Sequence, residues 1–250
     1  DNTVTVSHST VEDYVHGGRA IGENITESSD ENSTAITNNN SVTISSSEIY
    51  RNVYGGRANA ITGKGHAIAV ANNNTATVSS SYIYHVPDYV SGDVYGGRVE
   101  VEAHSGKGVA DAEANNNIVT ILNSSVDDVY GSRVNADVSE GAVANLSANE
   151  NTVVISDKAN IFDNVYGGYV DADVDYGNIT AQVNKNTVTI SNNSTVEGYV
   201  YGGYVGTGAN YGGIVYANEN IVVVSDGSVI TNGDVSGGFA LQGSIETVAN

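Results

Sequence analysis

The sequence contains no cysteine, no methionine and no tryptophan, and it has a single proline. Without cysteine the chain can have neither a disulfide framework nor a thiolate metal site. No apolar run is long enough to form a transmembrane helix. We therefore expect a fold without covalent cross-links and without membrane insertion.

Basic residues are also scarce. Nine lysines and arginines stand against 29 acidic residues, which gives a formal net charge of −20. Nucleic-acid phosphates and anionic membrane surfaces both attract proteins through Lys and Arg. The charge balance therefore argues against a nucleic acid as a partner, and it is compatible with a soluble particle that exposes much surface.

What the chain has instead is glycine, with 29 residues, and an excess of asparagine, serine, threonine and valine. β-Branched residues favour strands over helices. They also alternate with polar residues too regularly for a disordered chain. The composition therefore predicts an all-β fold.

A glycine pair recurs along the chain at spacings of 35 to 41 residues. A valine stands two residues before the pair in every copy, and a tyrosine stands directly before it in five copies. Such periodicity is typical of a repeat architecture, in which equivalent residues stack. We predict one buried stack containing Val15, Val53, Val94, Val129, Val165, Val200 and Val235.

A second column supports the same register. An asparagine opens a segment that reads Asn-Thr-Val-Thr-Ile-Ser or close to it, and another asparagine stands two residues earlier in most copies. Valine or isoleucine alternates with threonine in this segment, which predicts a half-buried strand. The column consists of Asn2, Asn40, Asn74, Asn117, Asn151, Asn186 and Asn220.

These columns predict a single-stack parallel β-solenoid of about seven repeats of roughly 35 residues, with three strands per coil, no helix of note and no separate caps. Equivalent residues would then lie about 4.8 Å apart on adjacent coils. The alternative is an array of antiparallel β-hairpin repeats. The approximate repeats are 1–37, 38–71, 72–114, 115–148, 149–183, 184–217 and 218–250.

The Asn-x-Asn-Thr-Val-Thr-Ile-Ser and Val-Tyr-Gly-Gly-(Arg/Tyr) units resemble repeats in the passenger regions of large bacterial autotransporter-type surface adhesins. The resemblance covers the whole chain. It implies a cell-surface or secreted adhesin or fibre. It says little about activity, because such repeats share stacking rules rather than a catalytic motif.

Acidic residues are predicted to line up on successive coils. Stacked carboxylates repel each other by about 1 kcal/mol even in water, and a bridging Ca²⁺ would relieve that repulsion. The alternative is a solvated acidic face without metal, since no glycine-rich calcium-binding signature is present. The candidate ligands are Glu100, Glu102, Asp137, Asp171, Asp173 and Asp175.

Tyrosines and arginines beside the glycine pairs form a second candidate site. Tyr and Arg are favoured in binding contacts, so this strip is a candidate for a surface glycan or protein. The alternative is that the rings stack on each other and only cover the coil. The strip contains Tyr54, Arg57, Tyr95, Arg98, Tyr130, Arg133, Tyr166, Tyr169, Tyr201 and Tyr204.

No catalytic constellation interrupts the repeat. The five histidines occupy different repeat positions, and the acidic residues cluster only by repetition. We therefore expect a protein that is not an enzyme. A polysaccharide-active β-helix enzyme, which would need paired carboxylates in a groove, is the minor alternative.

Joined tail to head, the two ends of the sequence reproduce the internal Ala-Asn-x-Asn-Thr-Val pattern. We expect subunits to stack head to tail into a filament outside a bacterial or archaeal cell, after removal of a signal peptide. The alternative is a fragment of a long adhesin. The predicted assembly interface contains Asn2, Thr3, Val4, Thr5, Val6, Val222, Val224, Val235, Ala249 and Asn250.

Overall fold

The computed structural model describes residues 1–24, 31–84, 92–104, 108–139, 141–174, 177–207, 213–242 and 247–249. Within these ranges the chain forms four seven-stranded sheets and no helix. No helix that could cross a membrane is found there. We call the sheets A, B, C and D, in the order in which the chain first enters them.

Sheet A contains β1 (Thr3–Ser7), β5 (Ser41–Ser45), β9 (Thr75–Ser79), β13 (Ile118–Leu122), β17 (Thr152–Ser156), β21 (Thr187–Ile190) and β25 (Ile221–Val224). Sheet B contains β2 (Thr10–Val11), β6 (Glu48–Ile49), β10 (Tyr82–Ile83), β14 (Ser125–Val126), β18 (Asn160–Ile161), β22 (Thr195–Val196) and β26 (Val229–Ile230).

Sheet C contains β3 (Val15–Asn24), β7 (Val53–Thr62), β11 (Val94–Ala103), β15 (Val129–Val138), β19 (Val165–Val174), β23 (Val200–Thr207) and β27 (Val235–Gln242). Sheet D contains β4 (Ser33–Ile36), β8 (His66–Val70), β12 (Val109–Glu113), β16 (Val143–Ser147), β20 (Asn178–Gln182), β24 (Gly213–Ala217) and β28 (Thr247–Ala249).

Each strand pairs in parallel with the equivalent strand of the neighbouring coil, as Val4 does with Val42 and Tyr95 with Tyr130. The predicted parallel β-solenoid is therefore confirmed, and the antiparallel hairpin alternative is wrong. Each coil has four strands rather than the predicted three. The additional strand, in sheet B, is two residues long, which is too short to show an alternating pattern in the sequence.

Two hydrophobic clusters fill the interior. Valine and isoleucine from sheets A and B pack against the first residue of each long strand in sheet C, with Val53 and Val94 fully buried. Mostly alanine and valine fill the second cluster, between sheets C and D. The predicted valine stack is present and buried at Val15, Val53, Val94, Val129, Val165 and Val200. Val235 pairs in register with Val200 but is 49% exposed, because its coil is the last one described.

The glycine pair lies inside the long strand rather than at a corner. Val53 belongs to one core cluster and Ala58 to the other, so the inward-facing phase of β7 changes across Gly55 and Gly56. A Cβ on Gly55 would lie 2.5 Å from the carbonyl oxygen of Gly96 on the next coil. Glycine is needed here for the close approach of two backbones, as at other strand irregularities.

Candidate functional site

A buried asparagine ladder joins the coils at the turn before sheet A. The backbone N–H and the Nδ2 of Asn74 both donate to Oδ1 of Asn117 on the next coil, at 2.9 and 3.1 Å. The same pair of bonds links Asn117 to Asn151, at 2.9 and 3.1 Å. Asn74, Asn117, Asn151 and Asn186 are 0% exposed. The asparagine column therefore forms hydrogen bonds along the solenoid axis, and these buried amides are satisfied only when the coils are stacked in register.

A second ladder, two residues earlier, runs in the opposite direction. The backbone N–H of Asn115 donates to Oδ1 of Asn72 on the preceding coil at 2.7 Å, and Asn149 donates in the same way to Asn115 at 2.8 Å. The residue between the two ladders has a left-handed backbone conformation, as at Asn116, where φ is 58°. Every coil therefore carries complementary donors and acceptors on its two edges.

A serine ladder at the turn between sheets A and B was not predicted. The backbone N–H of Ser47 donates to Oγ of Ser81 at 3.0 Å, and that of Ser81 donates to Oγ of Ser124 at 3.1 Å. A serine seven residues after the ladder asparagine was the available signal. This spacing holds only in the first four coils, because Ala159 replaces the serine in the fifth coil and the serine stands eight residues after the asparagine at Ser194 and Ser228.

The predicted assembly residues lie on the outermost strands of the stack. Asn2 precedes β1, whose Val4 and Val6 are half-buried against the core. At the other end, Val222 packs against the same cluster and Val224 is 38% exposed. Among the strand pairings that the structure describes, β1 pairs only with β5, and β25 only with β21.

The predicted assembly interface contains four further residues, near the two ends of the sequence. Thr3 and Thr5 point outward from sheet A. Ala249 pairs with Ala217 through the backbone of β28. Asn250 lies outside the described residues. End-on stacking through this set stays a prediction.

The tyrosines before the glycine pairs form a stacked column. Ring centroids are 5.0 Å apart between Tyr54 and Tyr95, 4.8 Å between Tyr95 and Tyr130, and 5.0 Å between Tyr130 and Tyr166. The first three rings are 1 to 5% exposed. Stacked faces and burial leave these rings no free surface for a sugar ring.

The residues after the glycine pairs cover this column. The Arg98 guanidinium lies 5.3 Å from the ring centroid of Tyr95, and that of Arg133 lies 5.3 Å from Tyr130, within the range of cation–π attraction. The Arg57 guanidinium likewise lies 5.4 Å from the ring centroid of Tyr54.

In later coils tyrosine replaces the arginine. Tyr169 and Tyr204 stack at 5.0 Å, and Tyr201 meets Tyr204 edge-on at 5.4 Å. Burial raises the pKa of Tyr169 to about 12. The strip thus exists as predicted in position, and its geometry favours the alternative in which the rings cover the coil. Binding of a glycan or protein there stays a prediction.

Two carboxylates beside the tyrosine hydroxyls, one buried and one half-buried, were not predicted. Asp93 and Asp128 occupy the position before the stacked valine on adjacent coils. The Tyr95 hydroxyl donates to Oδ2 of Asp93 at 2.7 Å, and the Tyr130 hydroxyl donates to Oδ2 of Asp128 at 3.3 Å. Burial, reinforced by the charge of Asp93, raises the pKa of Asp128 to about 6.

The predicted acidic column lines a shallow depression of about 270 Å³ on the outer face of sheet C, where Asn135 is a further lining residue. Glu100 is already held by Arg98 at 2.6 Å and by Arg57 at 3.0 Å. Burial favours the neutral acid, but the two arginines outweigh it and lower the pKa of Glu100. Its carboxylate is therefore committed to guanidinium groups.

The other predicted calcium ligands divide into two groups. Glu102, Asp137, Asp171 and Asp173 line the depression with Glu100, and Asp175 lies outside the described residues. In the part of the chain that the structure covers, no three acidic or histidine side chains are grouped so as to hold a metal ion. Calcium binding at this column stays a prediction.

A histidine–aspartate contact lies on the outer face of sheet D. Nε2 of His66 is 2.6 Å from Oδ2 of Asp111, whose other oxygen accepts from Nδ2 of Asn145 at 2.9 Å. The pair is half-exposed. It was not predicted, because these residues align only once the coils are stacked.

No protein-family model, no curated protein and no solved structure matches this chain.

Proposed function

We propose that this chain is a structural unit of an extracellular scaffold, in which copies stack end to end into a continuous β-solenoid filament. The observation that carries the proposal is the uniform register between coils. Equivalent residues pair at every step, and the asparagine ladder from Asn2 to Asn220 repeats the same backbone donor and side-chain acceptor at each of them. One edge of a coil is therefore complementary to the opposite edge of another.

The two outer edges of the stack also have a physical reason to pair. Unpaired strand edges present rows of free backbone N–H and C=O groups that readily add another strand. Val4, Val6, Val222 and Val224 lie at these edges and would be covered by an added coil. At roughly 25 cal/mol per Å² even a few hundred Å² of apolar area favours association. Such a contact is head to tail and does not close, so it propagates as a fibre.

An extracellular location is part of the proposal and is supported by the resemblance of the repeats to autotransporter passenger regions. The net charge of −20 keeps single chains apart and soluble. The same charge opposes stacking, and salt screens it.

The second candidate function is adhesion, with this chain as one part of a longer adhesin. It is favoured by the strip of arginine and tyrosine on sheet C, where Arg98 and Arg133 lie over the stacked rings. In that case the outer edges pair with further coils of the same polypeptide. The surface would then bind its target through guanidinium groups and ring edges.

The filament proposal is tested by placing charge inside the first coil. The double variant Val4→Asp/Val6→Asp puts two carboxylates on the inward face of β1, where an added coil would bury them. The control Thr180→Asp/Gln182→Asp adds the same charge to the outward face of β20, an inner strand of sheet D that lies away from both ends of the stack. Negative-stain electron microscopy is the measurement.

We expect filaments from the parent and the control, and short single rods from the Val4/Val6 variant. Short rods from all three chains, or filaments from all three, would reject end-on stacking. The adhesin function would then be the better account.

A further inference from the structure

The outward face of sheet A carries no charged and no aromatic side chain. The first two outward positions are paired in register in all seven strands, and the third is paired in the first five strands and continues just beyond the strand ends at Ser191 and Ser225. Threonine and serine predominate, with isoleucine, leucine and valine at the other places. The first column contains Thr3, Ser41, Thr75, Ile118, Thr152, Thr187 and Ile221, and the second contains Thr5, Thr43, Thr77, Thr120, Val154, Thr189 and Val223.

The third column of this face is nearly all serine. It contains Ser7, Ser45, Ser79, Leu122, Ser156, Ser191 and Ser225. Charged residues make up 15% of the chain, so a face of this size would ordinarily carry several. Instead they lie on other faces, such as Glu100 and Asp137 on sheet C and Asp111 and Glu113 on sheet D.

The face is also partly apolar where it meets solvent. Ile118 is 43% exposed, Ile221 is 54% exposed and Val223 is 43% exposed. Apart from Leu122, the remaining positions carry short side chains, so most of the surface is even in height. Ile118 lies three strands away from Ile221 and Val223, so apolar exposure is distributed along an uncharged face that is compatible with an interaction surface.

The dimensions of the face can be estimated from strand geometry. Seven strands spaced about 4.8 Å apart extend over roughly 33 Å, and five residues along a strand cover about 16 Å. The face therefore measures about 500 Å². Two such faces in contact would bury about 1,000 Å², which is the lower limit for a specific interface.

We propose that this face docks against the same face of a second copy of the chain and so joins two solenoids side by side. Facing sheets pack about 10 Å apart, and short side chains of this kind interdigitate well across a dry contact. This inference extends the proposed function and rests on it, because the contact becomes large enough only in a filament. One chain offers a marginal area, whereas stacked chains multiply it along the filament.

The distribution of charge explains why two copies of the chain would meet through sheet A. Each chain carries a net charge of −20, so contact through sheet C or sheet D brings carboxylates of the two copies together. Removing a charge from water without an opposite charge beside it is unfavourable. Sheet A lets two acidic chains meet with neutral side chains at the contact.

The test is a pair of matched lysine variants. Thr43→Lys/Thr120→Lys places two cations on the outward face of sheet A. Thr34→Lys/Thr180→Lys places the same two cations on the outward face of sheet D. Both variants lower the net negative charge equally, which favours association in general. A loss of pairing in the sheet A variant alone must then come from that face.

Electron microscopy of the assembled chains gives the number of filaments per bundle, and circular dichroism checks that each variant is folded. We expect paired or bundled filaments from the parent and from the sheet D control, and single filaments from the sheet A variant. Single filaments from the parent, or unchanged bundles from the sheet A variant, would overturn lateral docking while leaving end-on stacking intact.

If the parent forms no filaments, the proposed function fails and sedimentation velocity at high protein concentration tests the face by itself. Dimers of the parent and the sheet D control that are lost in the sheet A variant would support the inference. Monomers throughout would overturn it.

Discussion

At the scale of single residues, buried polar side chains rather than large apolar ones determine how the coils stack. An asparagine such as Asn117 accepts two hydrogen bonds from one neighbouring coil and donates two to the other. A shift in register would leave these groups buried without partners, at a cost of about 1–3 kcal/mol for each. The ladders therefore favour one register over all others.

Some of these buried polar residues could be predicted from the sequence and others could not. Asparagine recurs in all seven copies of its column, so the ladder could be predicted. The position of Asp93 and Asp128 varies along the chain: it holds aspartate again at Asp234, asparagine at Asn52 and Asn164, and tyrosine at Tyr14 and Tyr199. A column without a shared residue type gives no signal, and burial of its carboxylates appears only in the folded chain.

Replacing Asp128 by asparagine tests the cost of that buried charge. The pKa of Asp128 rises from 3.8 to about 6 on folding, so the folded chain binds this proton more tightly than the unfolded chain. Stability from this group is present below about pH 4 and is lost as the pH rises through 6. Asn52 shows that an amide fits, since its Nδ2 donates to the Tyr54 hydroxyl at 3.1 Å.

We expect Asp128→Asn to raise the free energy of unfolding by about 1–2 kcal/mol at pH 7.5, a value reduced because the carboxylate is only half-buried, and to change it little at pH 4. Urea unfolding at the two pH values is the measurement. An equal gain at both pH values, or a loss at pH 7.5, would contradict the buried-charge explanation.

At the scale of strands, long regular elements were predictable and short or irregular ones were not. The alternation of Val and Thr in β9 and β21 indicates a strand and its inward face. A two-residue strand such as β10 has no period to detect. The ten-residue strand β11 changes its inward phase at Gly96 and Gly97, so its sequence resembles two segments joined at a corner.

Gly96→Ala tests why the glycine pair is required. The added methyl would lie 2.5 Å from the carbonyl oxygen of Gly131 and 2.9 Å from Cβ of Asn117. We expect a loss of about 2–3 kcal/mol in the free energy of unfolding, because neither backbone can move without breaking the ladder. Gly206→Ala is the control, since its methyl would meet only the Tyr204 side chain, at 3.1 Å.

Chemical denaturation of the two variants gives the comparison. The Gly206 variant should stay within about 1 kcal/mol of the parent, as surface substitutions usually do. If both substitutions have the same effect, the close approach of the coils at Gly96 is not what glycine provides.

At the scale of the whole molecule, the solenoid presents three different surfaces. Its outer edges offer complementary ladders, sheet C offers stacked rings covered by arginine, and sheet A offers an uncharged face. The outer edges and the strip on sheet C could be predicted, because the same residue types recur there in successive repeats. The uncharged face of sheet A was not predicted. Threonine and serine are common in strands, so their recurrence did not indicate a face without charge.

The axial repeat of assembled chains tests end-on stacking most directly. Seven coils at about 4.8 Å each give an expected subunit repeat of roughly 34 Å along the filament, together with the 4.7–4.9 Å spacing of parallel strands. Cryo-electron microscopy or fibre diffraction of the assembled parent measures both. A filament with both spacings along its axis is the predicted result. Particles that never exceed the length of one chain, or strands that run along the axis instead of across it, would contradict the account.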